Sequence, residues 1–92
     1  MSSRITWISA NQTADLDGSV TLGCTAIGRP TPRVMWKKEG RILLENQATA
    51  NITLNTAKEH HGIFECCAVN IVGNDTKTTA VDVRGWDNKQ FV

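Results

Sequence analysis

No stretch of this 92-residue chain approaches the roughly 18 consecutive apolar residues that a membrane-crossing helix needs, and Met1-Ser2-Ser3-Arg4 is not followed by the apolar core of a secretory signal. The first absence argues against direct insertion into a membrane, and the second leaves the destination of the chain unstated. Net charge is equally scarce. Ten Lys and Arg against nine Asp and Glu leave +1, so no global field commits the protein to nucleic acid. The disordered signature is missing too, because hydrophobic residues make up 40% and charged residues 21%. At 10.1 kDa there is room for one domain, of a size that struggles to bury a sufficient core without a staple.

Catalytic apparatus is also lacking. No Ser, His and Asp arrangement has a spacing logic, no glycine loop is built to cradle phosphate, and a domain this small has no deep cleft to spare. Glu59, His60 and His61 have metal-ligating side chains, but consecutive side chains point apart and no second cluster completes a ligand set. The expectation is a protein that is not an enzyme and holds no metal or cofactor.

What the chain does have is a period of two. Val20, Leu22, Cys24 and Ala26 alternate with Thr21, Gly23 and Thr25, which describes a strand with one apolar face opening after the Asp17-Gly18 turn. Gly28-Arg29-Pro30-Thr31-Pro32 cannot continue a ladder and reads as a loop. Val34 and Trp36 share one face of the next strand, with Arg33, Met35 and Lys37 on the other, and Glu39-Gly40-Arg41 marks a turn. Ile52 and Leu54 lie inward on a later strand that carries Asn51 and Thr53 outward. A final strand after Gly73-Asn74-Asp75 sets Thr79, Val81 and Val83 against Thr78, Ala80 and Asp82. About seven short strands with no helix predict an antiparallel sandwich or barrel.

The three cysteines can be divided by register. If Cys66 faces inward, Phe64 and Ala68 are buried with it and Glu65 is exposed; if Cys67 does, Glu65 is buried without a partner, at a cost of several kcal/mol. Cys24 and Cys66 are therefore the inward pair, 42 positions apart with Trp36 between them, and a bond closing that loop is the staple the length requires. Cys67 is left as an outward, exposed thiol.

At these residues the chain resembles the immunoglobulin superfamily, and more closely its intermediate, or I-set, type. Cys24 is followed twelve positions later by Trp36, and Gly62-Ile63-Phe64-Glu65-Cys66-Cys67-Ala68-Val69-Asn70-Ile71-Val72-Gly73 is similar to the family's run of Gly, aromatic, Cys, Ala, Asn and Gly. Asp17-Gly18-Ser19-Val20-Thr21-Leu22 and Gly28-Arg29-Pro30 resemble its strand B and the loop from B to C. The resemblance implies an all-β sandwich with Cys24 and Cys66 bonded and with Trp36, Phe64, Leu22 and Ala68 in the core. It places the domain over residues 5–84, with residues 1–4 as a leading linker and 85–92 as a C-terminal linker or tail. Two departures bear on the edge. Phe64 stands where the family usually has Tyr, and His60 where it usually has an Asp that pairs with a base from the C′ to D region. Only fifteen residues separate Trp36 from Ile52, so that region is shortened and strand D is expected to be stunted or absent.

The surface offers three kinds of candidate site. Asn11-Gln12-Thr13, Asn51-Ile52-Thr53 and Asn74-Asp75-Thr76 are acceptor patterns for N-linked glycan, all outside the expected core. Met35, Cys67 and Val69, with Ile63, form an apolar stripe bordered by Arg33, Lys37 and Glu65 on the outer face of strands C, F and G, a candidate contact surface. Arg29, Arg33, Lys37, Lys38 and Arg41, against Glu39 alone, concentrate +4 in one segment that could hold heparan sulfate. These features, with the resemblance, imply a protein-binding module of a larger extracellular adhesion, receptor or matrix protein, with homophilic contact among its expected modes. The alternatives are a structural module of a cytoplasmic cytoskeletal or muscle protein and a heparan-sulfate-binding domain.

Overall fold

A computed structural model describes residues 1–85, so the expected tail, Gly85 apart, lies outside the described residues. Eight strands follow one another: β1 (Arg4–Ile8), β2 (Gln12–Asp15), β3 (Ser19–Ile27), β4 (Arg33–Lys38), β5 (Arg41–Gln47), β6 (Thr49–Asn55), β7 (Gly62–Val69) and β8 (Asn74–Arg84), with one 3-10 turn over Lys58–His60. They form two sheets, β1-β3-β6 and β2-β8-β7-β4-β5. This is the all-β sandwich that the resemblance implies, and one of the two architectures that the alternation allows. One pair, β2 with β8, is parallel, and the remaining pairs are antiparallel.

Turn chemistry sets the corners. Lys38 pairs with Arg41, which leaves Glu39 and Gly40 as a two-residue hairpin loop, and both have positive φ, at 54° and 78°. Those angles give the loop a twist that matches the strands it joins. The step from β5 to β6 takes a single residue, Ala48, also at positive φ. Its N–H donates to the Pro32 carbonyl at 2.9 Å and its carbonyl accepts from the Ala26 N–H at 2.8 Å. The chain thus passes directly from the five-stranded to the three-stranded sheet. Among the described residues no strand pairs with the free side of β6, so the shortened C′ to D region leaves no fourth strand there.

Inward residues of both sheets fill the core. Trp36, Phe64, Leu22, Val34, Cys24, Cys66, Ala50 and Ala68 are fully buried, with Val81 and Val83 beside them. Two buried bonds cross between the sheets through the core, in addition to the Ile5 N–H donating to Asp75 and the Gln12 amide donating to the Thr21 carbonyl at the sheet edges. Cys24 on β3 is disulfide-bonded to Cys66 on β7, with their Cα atoms 6.6 Å apart, and Trp36 Nε1 on β4 donates to the Ala50 carbonyl on β6 at 3.0 Å. At the corner where the family's ion pair is missing, the Lys38 ammonium lies 5.6 Å from the centre of the Phe64 ring, and His60 Nδ1 meets the Asn55 carbonyl. The cation over the ring is worth about 0.5–2 kcal/mol.

The opening residues differ from the linker expected of residues 1–4. Arg4 already belongs to β1, and Met1 exchanges two hydrogen bonds with Arg29, its amine donating to the Arg29 carbonyl at 2.9 Å and its own carbonyl accepting from the Arg29 N–H at 3.0 Å. Ser3 is buried. A sequence of Met-Ser-Ser carries no pattern from which such docking could be read.

Replacing both Cys24 and Cys66 with Ala is expected to lower unfolding stability by about 4 kcal/mol, the loop-closure entropy of a 42-residue separation. Urea denaturation followed by far-UV circular dichroism measures this, and a loss below about 1 kcal/mol would remove the disulfide as the principal staple.

Candidate functional site: the outer face of the five-stranded sheet

Because β4, β7 and β8 are adjacent, their outward side chains stand in rows. Arg33, Val69 and Asn74 make one, Met35, Cys67 and Thr76 the next, and Lys37, Glu65 and Thr78 the third. Ile63 and Ala80 continue the face beyond them, and β5 adds Glu45 opposite Met35. Directly opposed residues of an antiparallel pair share a face, so this adjacency follows from the register.

Cys67 corrects the expectation of an exposed thiol. It does point outward and is free, but it is only 8% exposed. Its row and the next carry longer side chains, and the short thiol lies among them: its S–H donates to Glu65 Oε1 at 3.4 Å, and the Thr76 hydroxyl donates to Sγ at 3.7 Å. Burial pushes the thiol pKa up; the Thr76 bond works against this and Glu65 adds to it. The accessible apolar surface lies around it, in Ile63, which is 59% exposed, and Val69.

A second apolar feature stands at the Val69 end of the face. Val69 pairs with Asn74, so the chain turns through Asn70–Gly73 there. Asn70 builds this turn: its Oδ1 accepts from the Val72 and Gly73 N–H groups, both at 3.0 Å, while its Nδ2 donates to the Met1 carbonyl at 2.8 Å and the Pro30 carbonyl at 2.9 Å. With its side chain committed inward to two loops, the tip is left to Ile71, 91% exposed, and Val72, 56% exposed. Sequence reasoning did not select these two. Their signal was two consecutive apolar residues between turn-formers, a pattern that a strand end shares.

The five basic residues do not form one patch. Arg29 precedes β4 and is tied to Met1, whereas Arg41 follows it at the other end. Arg33 and Lys37 stand on the outer face, Arg33 paired with Glu45 at 3.0 Å. Lys38, one residue on, turns the other way onto Phe64, and its side chain is 12% exposed. Of the glycan acceptor positions, Asn11, Asn51 and Asn74 are all exposed. Asn11 Oδ1 accepts from the Ala80 N–H at 2.9 Å, Asn74 stands beside Val69 on the outer face of the five-stranded sheet, and Asn51 belongs to the other sheet. His60 and His61 diverge, His61 Nδ1 accepting from the Val83 N–H at 3.1 Å, and no group of three His, Cys, Asp or Glu converges among the described residues.

Comparison with known proteins places this geometry. The model of the immunoglobulin domain matches residues 4–70. A Lar-like tyrosine-protein phosphatase of Caenorhabditis elegans is 41% identical over 68 residues, covering 70% of this chain and 3% of that protein. Intercellular adhesion molecule 5 of Mus musculus is 37% identical over 65 residues, 71% of this chain and 6% of that protein. The chain therefore spans only a small fraction of the length of these relatives. Among solved structures, an immunoglobulin domain in the complex of titin M10 with obscurin-like 1 superposes with a TM-score of 0.80 at 23% identity, over 90% of this chain and 93% of that one, a likeness of fold.

The burial of Cys67 is directly measurable. With the disulfide intact, its reaction with an aromatic disulfide reagent at pH 8 is expected to be at least about tenfold slower in the folded chain than in urea, because the nucleophilic thiolate is both scarcer and less accessible. The folded-state rate should also keep rising to higher pH than that of an ordinary cysteine. Equal rates in the two states would contradict the placement.

Proposed function

Since the chain belongs to the immunoglobulin domain family, we propose that it is a non-catalytic contact module of a longer extracellular or cell-surface protein. It meets its partner through the outer face of β4, β7 and β8 together with the Asn70–Gly73 turn. The observation that carries this reading is the accessible apolar surface of Ile63, Val69, Ile71 and Val72 on one face and its rim, where isolated exposed apolar residues would be unremarked but a cluster marks a contact. The disulfide supports an oxidising compartment. One relative bears adhesion in its name, and that chemistry suits this face.

The partner this face fits is a second copy of itself. Arg33 and Lys37 stand there beside Glu45 and Glu65, so two copies laid face to face in opposite directions bring unlike charges together around the apolar centre. A glycan on Asn74 would stand next to Val69 and obstruct that pairing, so the reading requires Asn74 to be unmodified. A cytoskeletal role draws on the titin likeness, which extends to fold alone. Sulfated polysaccharide is less well served, because the basic residues are divided between the two ends and two sides of β4.

Beads coated with the chain are expected to cluster, and Val69→Glu combined with Ile71→Glu is expected to abolish clustering while leaving thermal unfolding within a few degrees. Clustering that survives the double substitution would exclude this face. A wild-type chain that never clusters would exclude a second copy as the partner.

A further inference from the structure

The opposite face of the sandwich has a different character. Outward positions of β3 and β6 are Ser19, Thr21, Thr25, Thr49, Asn51, Thr53 and Asn55, with Ile27 at the far end of β3 and not one charged residue between them. Hydroxyls pair across the strands, Thr21 with Thr53 at 3.1 Å and Thr25 with Thr49 at 3.2 Å. In the middle, where the alternation calls for another side chain, stands Gly23, which pairs with Asn51. Trp7 from β1 occupies the space that glycine leaves. A Cβ on Gly23 would lie 2.6 Å from Trp7 Cζ3, 3.0 Å from Cη2 and 2.5 Å from Asn51 Oδ1. The benzo edge of the indole and the Asn51 amide therefore meet over one backbone position. Trp7 is nevertheless 54% exposed, a large aromatic surface beside the hydroxyls and amides of this part of the face, with Ile27 and its β1 partner Arg4 at the far end.

We propose that Asn51 carries an N-linked glycan and that Trp7 is the platform on which its first sugar packs. This rests on the extracellular reading above. Asn51-Ile52-Thr53 is an acceptor pattern on an exposed strand position. The transfer is made by the transferase of the secretory pathway from a lipid-pyrophosphate-linked oligosaccharide. The Asn51 amide nitrogen gives up one hydrogen as a proton and bonds to C1 of the first sugar, the bond from C1 to the phosphate oxygen breaks, and the lipid pyrophosphate leaves. That sugar then starts beside the indole. One face of a pyranose is lined with C–H groups, slightly positive and apolar, which suits the electron-rich face of an aromatic ring. The hydroxyl-rich, uncharged surroundings offer hydrogen-bond partners to the sugar's other groups without a charge to desolvate. Gly23 serves the arrangement by omission, since any side chain there would push Trp7 and Asn51 apart.

The test is to secrete the chain from cultured animal cells behind an appended signal sequence, map glycan occupancy by peptide mass spectrometry, and record the N-acetyl methyl resonance of the first sugar on Asn51. Occupancy at Asn51 with that methyl displaced upfield by the indole ring current is expected. The displacement should vanish in Trp7→Leu and persist in part in Trp7→Phe, which keeps a ring and guards against a general loss of fold. Occupied Asn51 with a methyl at the position of a freely solvated sugar would overturn the platform. A glycan on Asn11 with none on Asn51 would overturn the inference while leaving the extracellular reading intact. A secreted chain with no glycan at all would also overturn the inference, and the contact face would still be judged separately by bead clustering.

Discussion

Two bonds between the sheets govern the rest of the molecule: the disulfide from Cys24 to Cys66 and the hydrogen bond from Trp36 to the Ala50 carbonyl. Each joins a strand of one sheet to a strand of the other, and together they engage β3, β7, β4 and β6. Strand side chains alternate, so committing one residue of a strand to the interior commits every neighbour on that strand to a side. Cys66 inward means Glu65 and Cys67 outward; Trp36 inward means Met35 and Lys37 outward. A small domain with 92 residues has little hydrophobic area to hold this arrangement by burial alone, and a covalent tie across the core limits the register to one solution.

From that constraint two unlike outer faces arise. The outer side of the five-stranded sheet carries ionised groups of both signs around exposed aliphatic residues, a composition suited to a protein partner with matching polarity. The outer side of β3 and β6 carries hydroxyls, amides, Ile27 at one end and a bare glycine under an indole, with no ionised group on these two strands. Such a surface has little to offer a charged partner and much to offer a sugar. The functional readings above place a contact on the first face and a covalent glycan on the second, so that the two would not compete for space. Asn74 is the position where they would, because its strand register brings it beside Val69.

Much of the fold was legible in the residues. Alternation in Val20–Ala26 and Phe64–Ala68 was enough to assign inner and outer faces, and the charge on Glu65 chose between adjacent cysteines. Fifteen residues between Trp36 and Ile52 were too few for a hairpin, a sheet change and a further strand, and Ala48 makes the change alone. The surface was harder to read because it depends on neighbours remote in sequence. Outward direction was read for Cys67, but exposure depends on the side chains of adjoining strands, and those cover it. Trp7 and Asn51 meet only because β3 lies between their strands with a glycine at the shared position. The basic cluster looked continuous along the chain, although β4 separates Arg29 and Arg33 at one end from Lys37, Lys38 and Arg41 at the other.

The division of labour between the two faces is tested most directly by a concentration series of the secreted, isotope-labelled chain, following backbone amide chemical shifts as copies associate. The account expects shifts to move for Met35, Ile63, Glu65, Val69 and Ile71 and to stay fixed for Thr21, Thr25 and Thr53. Movement confined to β3 and β6, with the outer face of β4 and β7 silent, would contradict it.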